Sequence, residues 1–302
     1  MINTSIDKEQ FDPNVIHQLG RLDFIAKSII DGVNRGVHQS RRRGFSTEFS
    51  DFKPYEVGDD LRLLDWRLYA RTDKLFVKRF EAETSLELNL ILDATGSMAW
   101  RWENNISKLE YATNLLAAIA ALHINNRDNV GLLLYDANKV HHLPPRARKS
   151  HLDDIFSTLA SVVPGHAESF PVLIENLTRM SHHQGRIIIC SDLEEDEDKI
   201  EEAINEISGL KDDIILVHIL DKAEVELPFE SITHLQDAET GELVAVHLPT
   251  LKKHHEENLK IFRERWQNKC KNWGILYFPI DTSMNYVDTI IKLLEEYHLY
   301  FT

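Results

Sequence analysis

A chain of 302 residues with 43% hydrophobic and 27% charged residues, 12 Gly and 9 Pro can bury a sizeable core as one large or two small domains. It is neither collagen-like nor low-complexity nor wholly disordered. Its 34 Lys+Arg against 49 Asp+Glu leave a net charge of −15, which disfavours nucleic-acid phosphates and anionic membrane surfaces as partners. The two cysteines, Cys190 and Cys270, cannot build a disulfide framework and read as buried free thiols of a reducing compartment. The first residues lack the basic and apolar regions of a signal peptide. No apolar run reaches the roughly 18 residues of a membrane span. The expectation is a soluble, cytoplasmic protein without a membrane span.

In chain order, apolar residues recurring every three to four positions predict a helix over 12–33. Turn signals follow at Lys53-Pro54 and Gly58-Asp59-Asp60, and alternation over 74–80 predicts a half-exposed strand. From residue 85 onward strands and helices alternate: strand 86–92, helix 108–125, strand 129–135, a short edge strand at 140–143, and helices at 150–162 and 171–182. Strand 186–190, helix 195–208 and strand 213–220 come next. A helix over 251–272, a strand over 275–280 and a helix over 286–297 close the chain. Helices between strands imply parallel pairing by right-handed crossovers. The expected fold is therefore α/β, an open, mainly parallel sheet with helices on both faces. Residues 1–84 form an N-terminal helix and β-rich segment, and residues 85–302 form the sheet domain. An insertion at about 224–247 has a small hairpin at its ETGEL centre.

The charge is not spread evenly. Residues 1–80 carry 14 Lys+Arg against 12 Asp+Glu, leaving 20 against 37 for the rest. In open α/β sheets ligands bind outside the carboxyl ends of the strands. Strand 86–92 ends there in Asp93-Ala94-Thr95-Gly96-Ser97, a carboxylate followed by two hydroxyls at alternate positions. Strand 186–190 ends in Ser191-Asp192, and the loop 164–169 adds Glu168 and Ser169. Carboxylate and hydroxyl oxygens with room for water suit a small hard cation such as Mg²⁺. The acids of 192–202 lie beside this edge and suit a helix start or a basic partner surface.

These residues resemble a known family. The D-x-T-x-S run, a hydroxyl in a later loop and an Asp after a following strand are similar to the metal-ion-dependent adhesion site (MIDAS) of von Willebrand factor A (vWA) domains. GFSTEFSDFKPYEVGDDLRLLDWRLYARTDKLFVKRFE (44–81), LILDATGSM, SDLEED and HILDKAEVELPFESITHLQDAETGEL (218–243) resemble the bacterial DUF58 family. Its vWA-like members commonly accompany AAA+ ATPases of the MoxR group.

The resemblance implies a non-enzymatic protein-interaction module and a vWA-like fold. Asp93, Thr95, Ser97, Ser169 and Asp192 would hold Mg²⁺, with Mn²⁺ or Ca²⁺ as substitutes and a partner's carboxylate completing the shell. Thr95 stands where the family usually has Ser. The middle loop usually supplies Thr, and here Ser169 and Glu168 compete for that position. The partners implied are a MoxR-type ATPase and an unknown client protein. Arg62, Asp65, Trp66, Arg67 and Arg71 either dock the ATPase or pack the first segment on the sheet.

Rival chemistries fit less well. A zinc site is disfavoured because the pairs His141-His142, His182-His183 and His254-His255 point to different sides of their elements. The acidic run 194–202 lacks the glycine and spacing of a calcium loop. An aspartic protease needs two contiguous D-T-G-type copies, and a haloacid dehalogenase-type phosphatase needs an Asp where Thr95 stands. The alternative that remains is a metal-dependent hydrolase on the same cluster, with His166 or Glu168 as base.

Overall fold

The computed structural model describes residues 12–17, 21–41, 52–54, 76–78, 87–137, 139–165, 174–177, 185–210, 212–228, 233–236, 243–246 and 248–301. The chain divides into two compact units, Val37–Ser85 and a larger one made of Met1–Gly36 with Leu86–Thr302. In the smaller unit strands β1 (Phe52–Pro54) and β2 (Phe76–Lys78) pair antiparallel. Arg62, Asp65, Trp66, Arg67 and Arg71, the expected docking or packing block, lie outside the described residues.

The larger unit begins with α1 (Pro13–His17) and with α2 (Leu22–Arg41) as far as Gly36. The single helix expected over 12–33 is thus two helices. Arg21, between them, is not helical. The second helix runs on past the last apolar repeat to Arg41. Its Ile25, Ala26, Ile29 and Val33 are buried.

The sheet contains β3 (Glu87–Asp93), β4 (Asn129–Tyr135), β5 (Val140–Arg146), β6 (Arg186–Ser191), β7 (Asp213–Leu220) and, after the hairpin described below, β10 (Leu276–Asp281). Its spatial order is β10-β7-β6-β3-β4-β5. Every neighbouring pair is parallel except β4 with β5, which is antiparallel. The short connection of β4 to β5 allows only a hairpin-like return, whereas the other connections carry helices. Leu88, Leu90, Leu92, Ile188, Cys190, Ile215 and Val217 are all buried, and parallel strands covered on both faces read as such continuous apolar runs.

Helices α3 (Lys108–Asn125) and α4 (Lys149–Ala160) follow β3 and β5. Nearly every residue of α3 is buried, and its alanines let the helix approach closely. A capping box starts it: Glu110 N donates to Ser107 Oγ at 3.1 Å, while Ser107 N donates to Glu110 Oε2 at 2.9 Å. This start agrees with the helix expected over 108–125.

Residues 174–177 are helical within the span expected at 171–182. Helix α5 (Glu197–Ser208) is capped by Asp196, and the short α6 (Lys222–Glu226) by Asp221. The insertion carries the expected hairpin as β8 (Thr233–Gln236) and β9 (Leu243–Val246). Helices α7 (Leu248–Asn272) and α8 (Tyr286–Phe301) complete the order. On one face Ile91, Ile189 and Leu216 pack with Ile200 and Ile204 of α5 and with Trp266 and Cys270 of α7. Each fully buried side chain of this size contributes about 1.5–3 kcal/mol. Both cysteines are free and buried, as expected.

Gly185 marks a close approach between β6 and β3. A Cβ there would lie 2.5 Å from the Glu87 carbonyl oxygen, and Gly185 N donates to Asp212 Oδ1 at 2.7 Å. Gly185→Ala is expected to cost roughly 1–3 kcal/mol by overpacking, measured as a lowered urea midpoint with unchanged m.

Candidate metal edge

All five mutually parallel strands end in an aspartate: Asp93 on β3, Asp136 after β4, Asp192 after β6, Asp221 after β7 and Asp281 on β10. Their surroundings separate them. Asp136 Oδ1 accepts from Lys139 N and its Oδ2 pairs with His141 Nε2 at 2.9 Å. Asp221 Oδ1 accepts from Ala223 N at 2.7 Å as the cap of α6. Asp281 Oδ1 closes a turn on Ser283. Asp93 and Asp192 lie close enough that the charge of one acts on the other.

Asp93 is 1% exposed and Asp192 2%. Thr95 N donates to Asp93 Oδ1 at 2.9 Å and Ser191 Oγ donates to Asp93 Oδ2 at 2.6 Å. These bonds favour the anion, yet burial and the charge of Asp192 outweigh them and push the Asp93 carboxyl up to about 7. Thr95 Oγ1 lies 3.0 Å from Ser97 Oγ. Thr95 is buried, Ser97 half-buried and Gly96 exposed, which leaves the loop open to solvent. The loop before residue 166 packs here too, because Gly165 N donates to the Ala94 carbonyl at 2.7 Å. His166, Glu168 and Ser169, the candidates for the middle position, lie outside the described residues.

Four sequence-predicted residues therefore converge: Asp93, Thr95 and Ser97 on one loop, and Asp192 near enough to act on Asp93 electrostatically. Two buried like charges with two hydroxyls, open on one side, form a donor set that fits Mg²⁺. Among the described residues no three His, Cys, Asp or Glu side chains group to hold a metal by themselves, so the hydroxyls are necessary to the fit.

Sequence reasoning missed Lys108. Its ammonium is fully buried, 2.9 Å from Asp192 Oδ2, 3.0 Å from Glu194 Oε1 and 2.9 Å from Glu224 Oε1. Asp192 Oδ2 gains this charge partner without hydrogen-bond alignment. Burial alone would lower the Lys108 pKa, but Asp192, Glu224 and Glu194 together raise it above the ordinary lysine value. Glu224 is itself pushed up to about 7 by burial and by Glu194, against the pull of Lys108. One signal was available, since a cation in the first turn of a helix opposes the helix dipole.

Leu193, directly after Asp192, is buried with φ 55. A left-handed conformation in a bulky residue costs on the order of 1–3 kcal/mol, and Leu193 N donates to Ser191 Oγ at 3.0 Å to hold it. Further along, the acids of α5 are partly neutralised from within: Arg265 pairs with Glu197 at 2.8 Å, and Lys269 with Glu201 at 2.5 Å. Of the described histidine pairs, His254 fits the solvated reading; His141 and His255 are partly buried on Asp136 and the Glu224 carbonyl. His141 pairs with Asp136, and exposed His254 lies 4.0 Å from Glu257.

Residues 51–265 match the family model described as "Protein of unknown function DUF58". The chain belongs to the DUF58 family. Uncharacterized proteins of Mycobacterium tuberculosis and Mycobacterium bovis are 28% identical to it over 238 residues, covering 76% of this DUF58 chain and 73% of theirs. Among solved structures, BatB from Bacteroides thetaiotaomicron, a conserved hypothetical protein, is similar at 18% identity and TM-score 0.45, over 71% of this chain and 99% of that one. The SpRpn10 VWA domain is similar at 15% identity and TM-score 0.42, over 68% and 95%. This DUF58 protein's own geometry makes it vWA-like: an open sheet with one antiparallel edge, helices on both faces, and the D-x-T-x-S loop leaving a central strand. No helix among the described residues is long and apolar enough to cross a membrane.

Proposed function

We propose that this DUF58 protein is a non-enzymatic protein-interaction module whose β3–β6 edge takes a divalent ion and, through it, a carboxylate of a partner. The observation that carries the reading is the meeting of Asp93, Thr95, Ser97 and Asp192 at one edge, where burial and the charge of Asp192 raise the cost of ionising Asp93. Asp93, Thr95 and Ser97 would hold Mg²⁺, with Asp192 behind them and Ser169 or Glu168 as the further ligand. The ion supplies a Lewis-acid position for an incoming carboxylate. Ser191 and the Thr95 backbone N–H orient Asp93 for this task, and the capping box of α3 holds the helix that follows the loop. By family resemblance the partner is a MoxR-type AAA+ ATPase in the cytoplasm, acting in maturation or remodelling of a client protein.

The test is capture of that ATPase by the full chain with Mg²⁺ and with EDTA. Capture is expected only with the ion, and Asp93→Ala should lose it while remaining folded. Capture that ignores EDTA and the substitution would overturn the reading. A hydrolytic turnover lost in Asp93→Ala would favour the hydrolase instead.

A further inference from the structure

A fully buried ammonium on the first residue of a helix is costly twice over, by desolvation and by the helix dipole. Lys108 bears both costs because it touches three carboxylates from two other connections: Asp192 and Glu194 after β6, and Glu224 on α6 after β7. Those acids gather at the same strand ends as Asp93, and the Glu224 backbone is fixed in turn, its carbonyl accepting from His255 of α7. Asp192 is the shared member, with Lys108 on one side and the charge of Asp93 on the other.

We propose that Lys108 is the resident cation of this edge. Its tethered ammonium neutralises Asp192, Glu194 and Glu224 where a divalent ion would otherwise be needed, and so keeps the edge folded when no ion is bound. It also sets where an ion can sit and how tightly. With Asp192 Oδ2 held by the ammonium, an ion is confined to the Asp93, Thr95 and Ser97 side, and its affinity is weakened by the nearby positive charge. The second consequence rests on the ion-edge reading above; the first does not.

The probe is Lys108→Met, which keeps the length of the stem and removes the charge. In EDTA its melting temperature is expected to fall on the order of 10 °C, because three acids lose their counter-ion. In calorimetric titration its Mn²⁺ affinity should rise at least about tenfold over the parent chain, and Mn²⁺ should restore part of the lost melting temperature. An unchanged melting temperature in EDTA would overturn the structural role, and an Mn²⁺ affinity no higher than the parent's would overturn the second consequence. The melting comparison contains no divalent ion, so it decides the structural role of Lys108 even if the parent chain binds no Mn²⁺, and the two failures are told apart.

If Lys108→Met does not fold, the parent chain provides the measurement. A slowly exchanging lysine ¹⁵Nζ signal should be visible at neutral pH and persist at saturating Mg²⁺. Its absence, or its loss on adding Mg²⁺, would overturn the proposal.

Discussion

In EDTA near pH 8, Asp93→Asn is expected to be more stable than the parent chain while losing divalent-dependent capture of a partner. The carboxyl of Asp93 titrates near 3.8 when unfolded and is pushed to about 7 in the folded chain, by burial and by Asp192. Between those values the folded state holds the extra proton. Its contribution to stability is therefore fully present below about 4 and is lost as pH rises through 7. Asn is neutral at every pH and nearly the same shape, so it removes that loss. The gain at pH 8 is on the order of 2–4 kcal/mol, read by urea unfolding, and it should shrink toward pH 4. A variant that was less stable than the parent at pH 8 would show that Asp93 is already compensated without an ion. Higher stability combined with lost binding is what a functional site under strain produces.

Acidification is expected to act on a second buried group. His218 on β7 is 1% exposed, with Nδ1 2.6 Å from the Tyr277 hydroxyl and its ring 5.6 Å from that of Phe262. Burial, the charge of Arg263 and that of Lys108 lower its pKa from 6.5 to about 3, against a hydrogen bond with the Asp192 backbone. Between pH 6.5 and 3 the unfolded chain binds a proton that the folded chain does not. Stability from this residue is thus fully present above 6.5 and falls as pH drops through that window. The full loss is on the order of 4 kcal/mol. His218→Gln should flatten this part of the acid limb when stability is followed by urea unfolding from pH 7 to pH 4. An identical slope in parent and variant would assign the loss to other groups.

These two residues differ in how visible they were. Asp93 was legible because the D-x-T-x-S spacing is local, and a buried strand ending in a carboxylate announces a ligand edge. His218 was one of 15 histidines in an apolar strand, and nothing in its neighbours along the chain foretold Tyr277 or Phe262. The strand and helix alternation from residue 85 onward was legible for the same reason as Asp93, since periodic burial is written within each element. The break between α1 and α2 was less so, because the apolar repeat continues across Arg21.

The five strand-end aspartates show most clearly where reading along the chain stops. Composition, the period of the apolar residues and the D-x-T-x-S run were enough to determine an α/β sheet and to place two carboxylates, Asp93 and Asp192, at its carboxyl edge. Only the tertiary structure decided that Asp136, Asp221 and Asp281 are engaged by a histidine, a helix cap and a turn, while Asp93 is held by Ser191 and Thr95 beside an Asp192 that pairs with Lys108. It also brought Lys108 to Glu194 and Glu224, 86 and 116 residues away. Apolar burial leaves a local period in the sequence, but charge compensation in a low-dielectric edge depends on which groups meet in space, and no spacing along the chain encodes that.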